Sequence, residues 1–466
     1  MHYISTRGGA AALDFQGATL TGLASDGGLY LPESWPTFSR EDIAALAGLS
    51  YVETAVRVML PFVGDSLDEE ELRDLCKQAY GSFSHQGVTP LVQLDHRHWL
   101  LELFHGPTLA FKDVALQLLG LLFEKFLSKS NRHLTIVGAT SGDTGSAAID
   151  AVAGREKIDI FMLHPDGRVS DVQRRQMTTV RAHNVHNIAI DGSFDDAQAL
   201  VKRMFNDSDF AGRFSLSAVN SINWARLMAQ VVYYFYAAVR LGGPDRSVAF
   251  AVPTGNFGDV FAGYVAAKMG LPIARLIVAT NVNDILHRAL SQGDYSQGQV
   301  TPTATPSMDI QVSSNFERLL FDLAGQDGTA LAEQMKGFEA NRAMRLTNAQ
   351  RAGAVKLFSS ARIDGDDMSI AMRWANDAAG QLIDPHTAVG LAAARLSDVD
   401  PAIPMVTLAT AHPAKFPDAV ERATGLRPQL PARISNLFER DESYDRLPAT
   451  FDAVSAYIAE RATPKG

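Results

Sequence analysis

The chain is 466 residues long, 46% hydrophobic and 20% charged, and its 42 basic and 52 acidic side chains leave a formal net charge of −10. A chain of that length divides into about three domains and can bury enough apolar surface to fold without disulfides or structural metals. The single cysteine, Cys76, excludes an intrachain disulfide and a cysteine-based zinc module, and the acidic balance without a long Lys/Arg run excludes a nucleic-acid partner.

Residues 1–7 lack the apolar core and cleavage site of a leader, and no later run approaches the ~18 apolar residues of a membrane span. A cytoplasmic protein acting on small molecules, as a monomer or homodimer with no metal and no membrane contact, is expected. Residues 1–95 read as a separate N-terminal domain, with a turn at Asp26-Gly27-Gly28 and a helix over 68–80 whose leading acids complement the positive end of the helix dipole. From residue 96 strand and helix alternate. Strands are predicted over 133–138, 158–163, 185–190, 247–252, 274–279 and 404–409, and helices over 146–153, 171–180, 194–205 and 260–269. This order predicts parallel sheets with helices on both faces and ligands at the loops beyond the strand C-termini. Residues 291–308, rich in Gln, Thr, Pro, Ser and Gly, read as a long surface loop. The chain then reads as mostly helical to about 396, with Pro385 at a first helical position behind Asp384. The division expected is a small domain over 131–225 and a large domain over 96–130 and 226–466, the latter with a helical insertion at about 309–380.

Two glycine-rich loops follow strands and open helices, Thr140-Ser-Gly-Asp-Thr-Gly145 and Thr254-Gly-Asn-Phe-Gly258. Free N–H groups of a first helical turn point at an anion, so each loop is a candidate anion cradle or, on the bland reading, a capped turn. Neither has the Walker or the dinucleotide spacing, which disfavours a nucleotide enzyme. Between Leu109 and Phe123 the only charged residues are Lys112 and Asp113. An apolar helix start disfavours an ammonium, and a neutral amine attacks aldehydes, so Lys112 is either a Schiff-base lysine or a lysine that reaches out to solvent. A reactive lysine and a phosphate cradle on an α/β sheet together suggest pyridoxal 5'-phosphate, leaving the second cradle for a substrate carboxylate.

The motifs His105-Gly-Pro-Thr-Leu-Ala-Phe-Lys-Asp113, Gly138-Ala-Thr-Ser-Gly-Asp-Thr-Gly145, Pro253-Thr-Gly-Asn-Phe-Gly-Asp259 and Leu408-Ala-Thr-Ala-His-Pro-Ala-Lys415 stand beside Tyr3-Ile-Ser-Thr-Arg-Gly8 and Asp26-Gly-Gly-Leu-Tyr-Leu-Pro32. With these, the chain resembles the bacterial and fungal threonine synthase family, within the fold type II pyridoxal-phosphate enzymes. The resemblance implies an α/β, tryptophan-synthase-β-like fold: two parallel or mixed sheets with flanking helices, plus an N-terminal domain. It implies a carbon–oxygen lyase acting on phosphates, which converts O-phospho-L-homoserine and water to L-threonine and phosphate in the last step of threonine biosynthesis. Lys112 would bond the cofactor. Gly255, Asn256, Phe257, Gly258 and Asp259 would hold its phosphate, and Thr410 would sit beside its ring nitrogen. Thr140, Ser141, Asp143 and Thr144 would receive the substrate carboxylate, and Ser221, Arg226 and Lys415 its phosphate. Without the resemblance, Arg226 reads as a surface helix residue and Lys415 as a solvated loop lysine. Asp143 departs from the Asn of many relatives, whose contact with the cofactor's ring oxygen is therefore not carried over. His105, His386 and His412 read as hydrogen-bonded structural partners rather than acid–base groups. A serine/threonine dehydratase, or a threonine-synthase-like phosphate-ester lyase, is the alternative.

Overall fold

The computed structural model describes residues 1–464 apart from 129, 131 and 218. An N-terminal ribbon pairs β1 (Tyr3–Ser5) antiparallel with β2 (Tyr30–Pro32). Then come β3 (Leu91–Gln93), β4 (His98–Glu102), β5 (Leu134–Ala139), β6 (Ile158–Pro165), β7 (Val185–Asp191), β8 (Leu216–Ser217), β9 (Val248–Pro253) and β10 (Ile273–Thr280). A second ribbon, β11 (Asp294–Ser296) with β12 (Ala343–Arg345), precedes β13 (Phe358–Arg362), β14 (Met405–Ala409) and β15 (Asp445–Pro448). One large sheet runs β13-β10-β9-β14-β4-β3 and is parallel except for β3; the other runs β15-β7-β6-β5-β8 and is parallel throughout. Helices cover both faces, so central strands are buried on both sides: every residue of β6 and β9 is buried.

The winding of the six-stranded sheet reverses between β9 and β14, and ligands of parallel sheets collect at the C-terminal side of such a reversal. There β4, β9 and β14 lie side by side and release the lysine segment, the 254–259 loop and Thr410 at one edge. In the five-stranded sheet β5 stands between β6 and β8, and its end releases the 140–145 loop.

The predicted strands and helices form, most with ends shifted by one or two residues. The helix predicted from 146 starts earlier, at Asp143, because the glycine loop itself turns into it at Gly142, φ 134°. Three features differ from expectation. Within 291–308, read as a surface loop, Asp294–Ser296 forms β11 and Tyr295, Thr305 and Met308 are buried. β13 was not predicted: five residues, Phe-Ser-Ser-Ala-Arg, show no alternation, and pairing with β10 at the sheet edge makes them a strand. β15 and the helix Phe451–Arg461 join the five-stranded sheet, where Val454 and Ile458 pack with Phe161 and Leu163, rather than the sheet built from the rest of 226–466. The N-terminal domain expected over 1–95 packs closely against the rest of the chain. Tyr3, Trp35 and Phe62 place their rings 5.9, 6.1 and 5.7 Å from that of Trp224, at the start of the buried helix Trp224–Arg240. A largely apolar helix buried on every side needs cover from the rest of the chain, and the N-terminal aromatics supply part of it.

Candidate active site

Beyond β4 the chain turns sharply into the helix Lys112–Ser128. Asp113 makes the turn by accepting Thr108 N–H (2.8 Å) and the Thr108 hydroxyl (2.6 Å), and Gly106 lies so close that a Cβ there would be 2.4 Å from Asp113 Cβ. Phe111 N–H donates to Thr410 O at 2.8 Å, which fastens the lysine segment to the end of β14. The Thr410 N–H in turn donates to the Thr387 hydroxyl (3.2 Å). Lys112 is thus buried rather than extended to solvent, 8% exposed. Burial pushes its amine below the ordinary range; Asp143 opposes the fall, and Lys415 and Arg226 add to it.

Asp143 is the centre of the cluster. Its Oδ2 meets Lys112 Nζ (3.3 Å) and the Ser307 hydroxyl (3.3 Å), and its Oδ1 meets Lys415 Nζ (3.0 Å) and Gln173 Nε2 (2.7 Å). Burial alone would raise this carboxyl. The combined pull of Lys112, Lys415 and His386, with the Gln173 hydrogen bond, instead holds it well below the usual carboxylate range. Lys415, read from sequence as a solvated loop lysine, is fully buried and also donates to Thr108 O at 2.8 Å. In the same loop the Thr140 hydroxyl accepts the N–H groups of Gly142 and Gly145, each at 2.9 Å, so it shapes the loop. Ser141 and Thr144 are half-buried at its rim.

The 254–258 loop ends β9 and opens the helix Gly258–Lys268. Phe257 takes φ 62°, which turns the loop back on itself, and a Cβ on Gly255 would stand 2.5 Å from Ser307 O. Among the described residues no acceptor takes the N–H groups of Gly255, Asn256, Phe257 or Gly258, which leaves a cradle of donors at a helix N-terminus. The Asp259 side chain points elsewhere: Tyr233 and Tyr234 donate to its Oδ1, and burial raises its carboxyl to about 7 against those hydrogen bonds. Its share in an anion site is therefore its position in the first turn.

Asn315 ties the cradle to the Ser221 loop, donating to Ser221 O (3.1 Å) and Asn256 O (3.0 Å). Ser221 Oγ lies 3.3 Å from Ser314 Oγ. Arg226, read as a surface residue, is 4% exposed: Nη1 donates to Val219 O (2.7 Å), while Nε has no partner. Burial lowers its guanidinium to about 10. A buried cation with only a carbonyl for company lacks an anionic partner among the described residues. Sequence reasoning missed Ser307, Asn315, Gln173 and the buried Arg318, which donates to Tyr30 O, Ile222 O and Asn315 Oδ1. The one available signal was the polar run Ser313-Ser314-Asn315 in front of a helix. His105 and His412 are structural, paired with Glu102 (2.7 Å) and Ala414 N–H (3.1 Å), whereas His386 lies against the cluster.

The donor set fits pyridoxal phosphate. It offers a buried amine for the aldehyde, a cradle of N–H groups without acceptors among the described residues, and a threonine joined through its backbone to the lysine segment. Comparison with known proteins agrees. Residues 2–80 match the family described as threonine synthase N terminus, 83–361 the pyridoxal-phosphate dependent enzymes, and 387–458 threonine synthase, C-terminal. The threonine synthase of Pseudomonas aeruginosa is 53% identical over 461 residues, covering 99% of this chain and 98% of its own. A PLP-bound threonine synthase from Brucella melitensis superposes with a TM-score of 0.97 at 52% identity, over 99% of each chain. The Escherichia coli threonine synthase follows at 0.83 and 31%, over 99% of this chain and 100% of its own.

Proposed function

The chain belongs to the threonine synthase family of pyridoxal-phosphate-dependent enzymes, and from that premise we propose that it converts O-phospho-L-homoserine and water to L-threonine and phosphate. The observation that carries the choice of substrate is Arg226, buried, coupled to Lys112 and with Nε unpaired. A dehydratase of hydroxy amino acids has no use for such a group, whereas a phosphate monoester takes a guanidinium fork with paired charge-assisted hydrogen bonds.

In this reading Gly255, Asn256, Phe257 and Gly258 would hold the cofactor phosphate through their N–H groups, with Asp259 opening the helix behind it, and Thr410 would serve the ring nitrogen. When bound, pyridoxal phosphate supplies an aldehyde for the substrate amine and a sink for the electron pair left at the α carbon. Lys112, its amine disfavoured as a cation, takes the α proton, gives it up and then takes a β proton. Arg226 and Ser221 hold the phosphate as it leaves the γ carbon; the two protons return to the γ and α carbons, and water adds its hydroxyl at the β carbon and its proton to the phosphate. Ser141, Thr144 and the N–H groups of the 140–145 loop receive the substrate carboxylate. The Thr140 hydroxyl holds that loop in shape, and Asp143 holds Lys112 and Lys415, since an ionised carboxylate would repel another. A positioned base of this kind contributes about 10²–10⁴-fold. The buried, lone Cys76 suits the cytoplasmic setting we include in the proposal.

The holoenzyme given O-phospho-L-homoserine is expected to release threonine and phosphate in equal amounts. Keto acid and ammonia in their place would reject the proposal.

A further inference from the structure

His386 and Ser307 carry a second layer of the site. His386 stands in the first turn of the helix Pro385–Leu396, 4% exposed, behind the fully buried cap Asp384. Asp384 Oδ1 accepts both His386 N–H (2.9 Å) and His386 Nδ1 (2.9 Å). A carboxylate can only accept, so Nδ1 carries the ring proton and Nε2 presents a lone pair. That lone pair meets Ser307 N–H at 3.4 Å, and the Ser307 hydroxyl donates to Asp143 Oδ2 at 3.3 Å, the oxygen that also faces Lys112.

Ser307 belongs to the turn Pro306–Met308, within the stretch that reads from sequence as a surface loop. On its far side the turn is anchored by Asn281, whose amide donates to Thr303 Oγ1 (3.0 Å), Thr305 Oγ1 (2.8 Å) and Asp309 Oδ1 (2.7 Å). On the near side Ser307 touches three walls at once: the Gly255 cradle, His386 and Asp143.

We infer that Ser307 and His386 are positioning residues for Lys112: His386 Nε2 holds the Ser307 backbone so that its hydroxyl shares Asp143 Oδ2 with the lysine amine. The hydroxyl neutralises part of the carboxylate's charge, and the amine is left freer of its proton. Without it, Asp143 would bind the ammonium more tightly. The charged groups that face this pair are Asp143 itself, Lys415 from the turn after β14, Arg226 from the helix Trp224–Arg240, and Asp384 behind His386. The inference rests on Lys112 being the lysine that bonds the cofactor.

The test is the rate at which the full chain, stripped of cofactor, captures added pyridoxal phosphate at Lys112, followed across pH by borohydride trapping and mass. Ser307→Ala is expected to capture roughly three- to tenfold more slowly near neutral pH, with its rise in rate displaced to higher pH. His386→Leu should behave the same way. His386→Gln, whose Oε1 can take the place of Nε2 as acceptor, should stay close to the unaltered chain. An unchanged Ser307→Ala, or one slowed equally at every pH, overturns the inference, because lost contact with the cofactor would lower the rate uniformly. If His386→Leu does not fold, Ser307→Ala decides alone. Failure of the unaltered chain to take up the cofactor at Lys112 would instead reject the reading of the site.

Discussion

Arg226 is a buried guanidinium, and a buried charge without an anionic partner costs stability. Its guanidinium is buried with one carbonyl partner and an orphaned Nε. Replacing even a buried ion pair with hydrophobes of similar volume is often neutral or stabilising by about 1–4 kcal/mol, and Arg226 lacks the pair among the described residues. Arg226→Leu is therefore expected to unfold at a higher urea concentration than the unaltered chain, while the substrate concentration needed for half-maximal rate rises more than tenfold. A variant both less stable and unchanged in substrate requirement would contradict the assignment. Lys112 gives a simpler expectation. Borohydride treatment of the holoenzyme should fix the cofactor's mass to the chain, and Lys112→Ala should show no such addition. Both residues were singled out by their motifs, yet the sequence could not tell a snorkelling Lys112 or a surface Arg226 from buried ones. Burial depends on what the rest of the chain places over a helix.

At the scale of single elements, the helix Gly258–Lys268 joins two opposed demands. Its first turn presents free N–H groups to an anion, and its Asp259 is a carboxyl raised by burial to about 7. The folded state binds that proton more tightly than the unfolded chain, where aspartate titrates near about 3.9. The stability it contributes is fully present below about pH 4 and is lost as pH rises through about 7. Urea unfolding at a series of pH values should show this decline, flattened in Asp259→Asn. Asp143 acts in the opposite sense, since its depressed carboxyl gives stability that disappears as pH falls. In the loop before the helix, Gly255→Ala would set a Cβ 2.5 Å from Ser307 O and force the two backbones apart. A cost of about 1–3 kcal/mol is expected, with weaker cofactor retention on dialysis. The loop motifs were legible because glycines and capping residues act on their immediate neighbours. The approach of Ser307 was not, because it joins residues more than fifty positions apart.

Across the whole molecule, the C-terminal segment closes the five-stranded sheet. β15 pairs with β7, Glu442 accepts from Arg174 (2.8 Å) and Thr178 (2.8 Å), and Val454 and Ile458 are completely buried. Truncation after residue 442 should expose that core and leave β7 an open edge, read as increased binding of a hydrophobic dye and loss of soluble protein on mild heating. Arg433, from the same segment, donates to His105 O (3.1 Å) and Gly106 O (2.6 Å), so the tail also braces the turn that leads to Lys112.

Alternating apolar strands and helices, two glycine loops at strand ends and one lysine in an apolar helix start were enough to determine the α/β class and to suggest the cofactor, and the motifs around them carry the resemblance to the family. These are local signals, written in neighbouring residues. Tertiary structure alone decided which cations are buried, that Asp143 joins Lys112 and Lys415, that Ser307 and His386 reach the cluster, and that the chain's end returns to the smaller sheet. Desolvation and long-range pairing set those features. Both arise only when distant segments exclude water from one another, so no window of the sequence carries them.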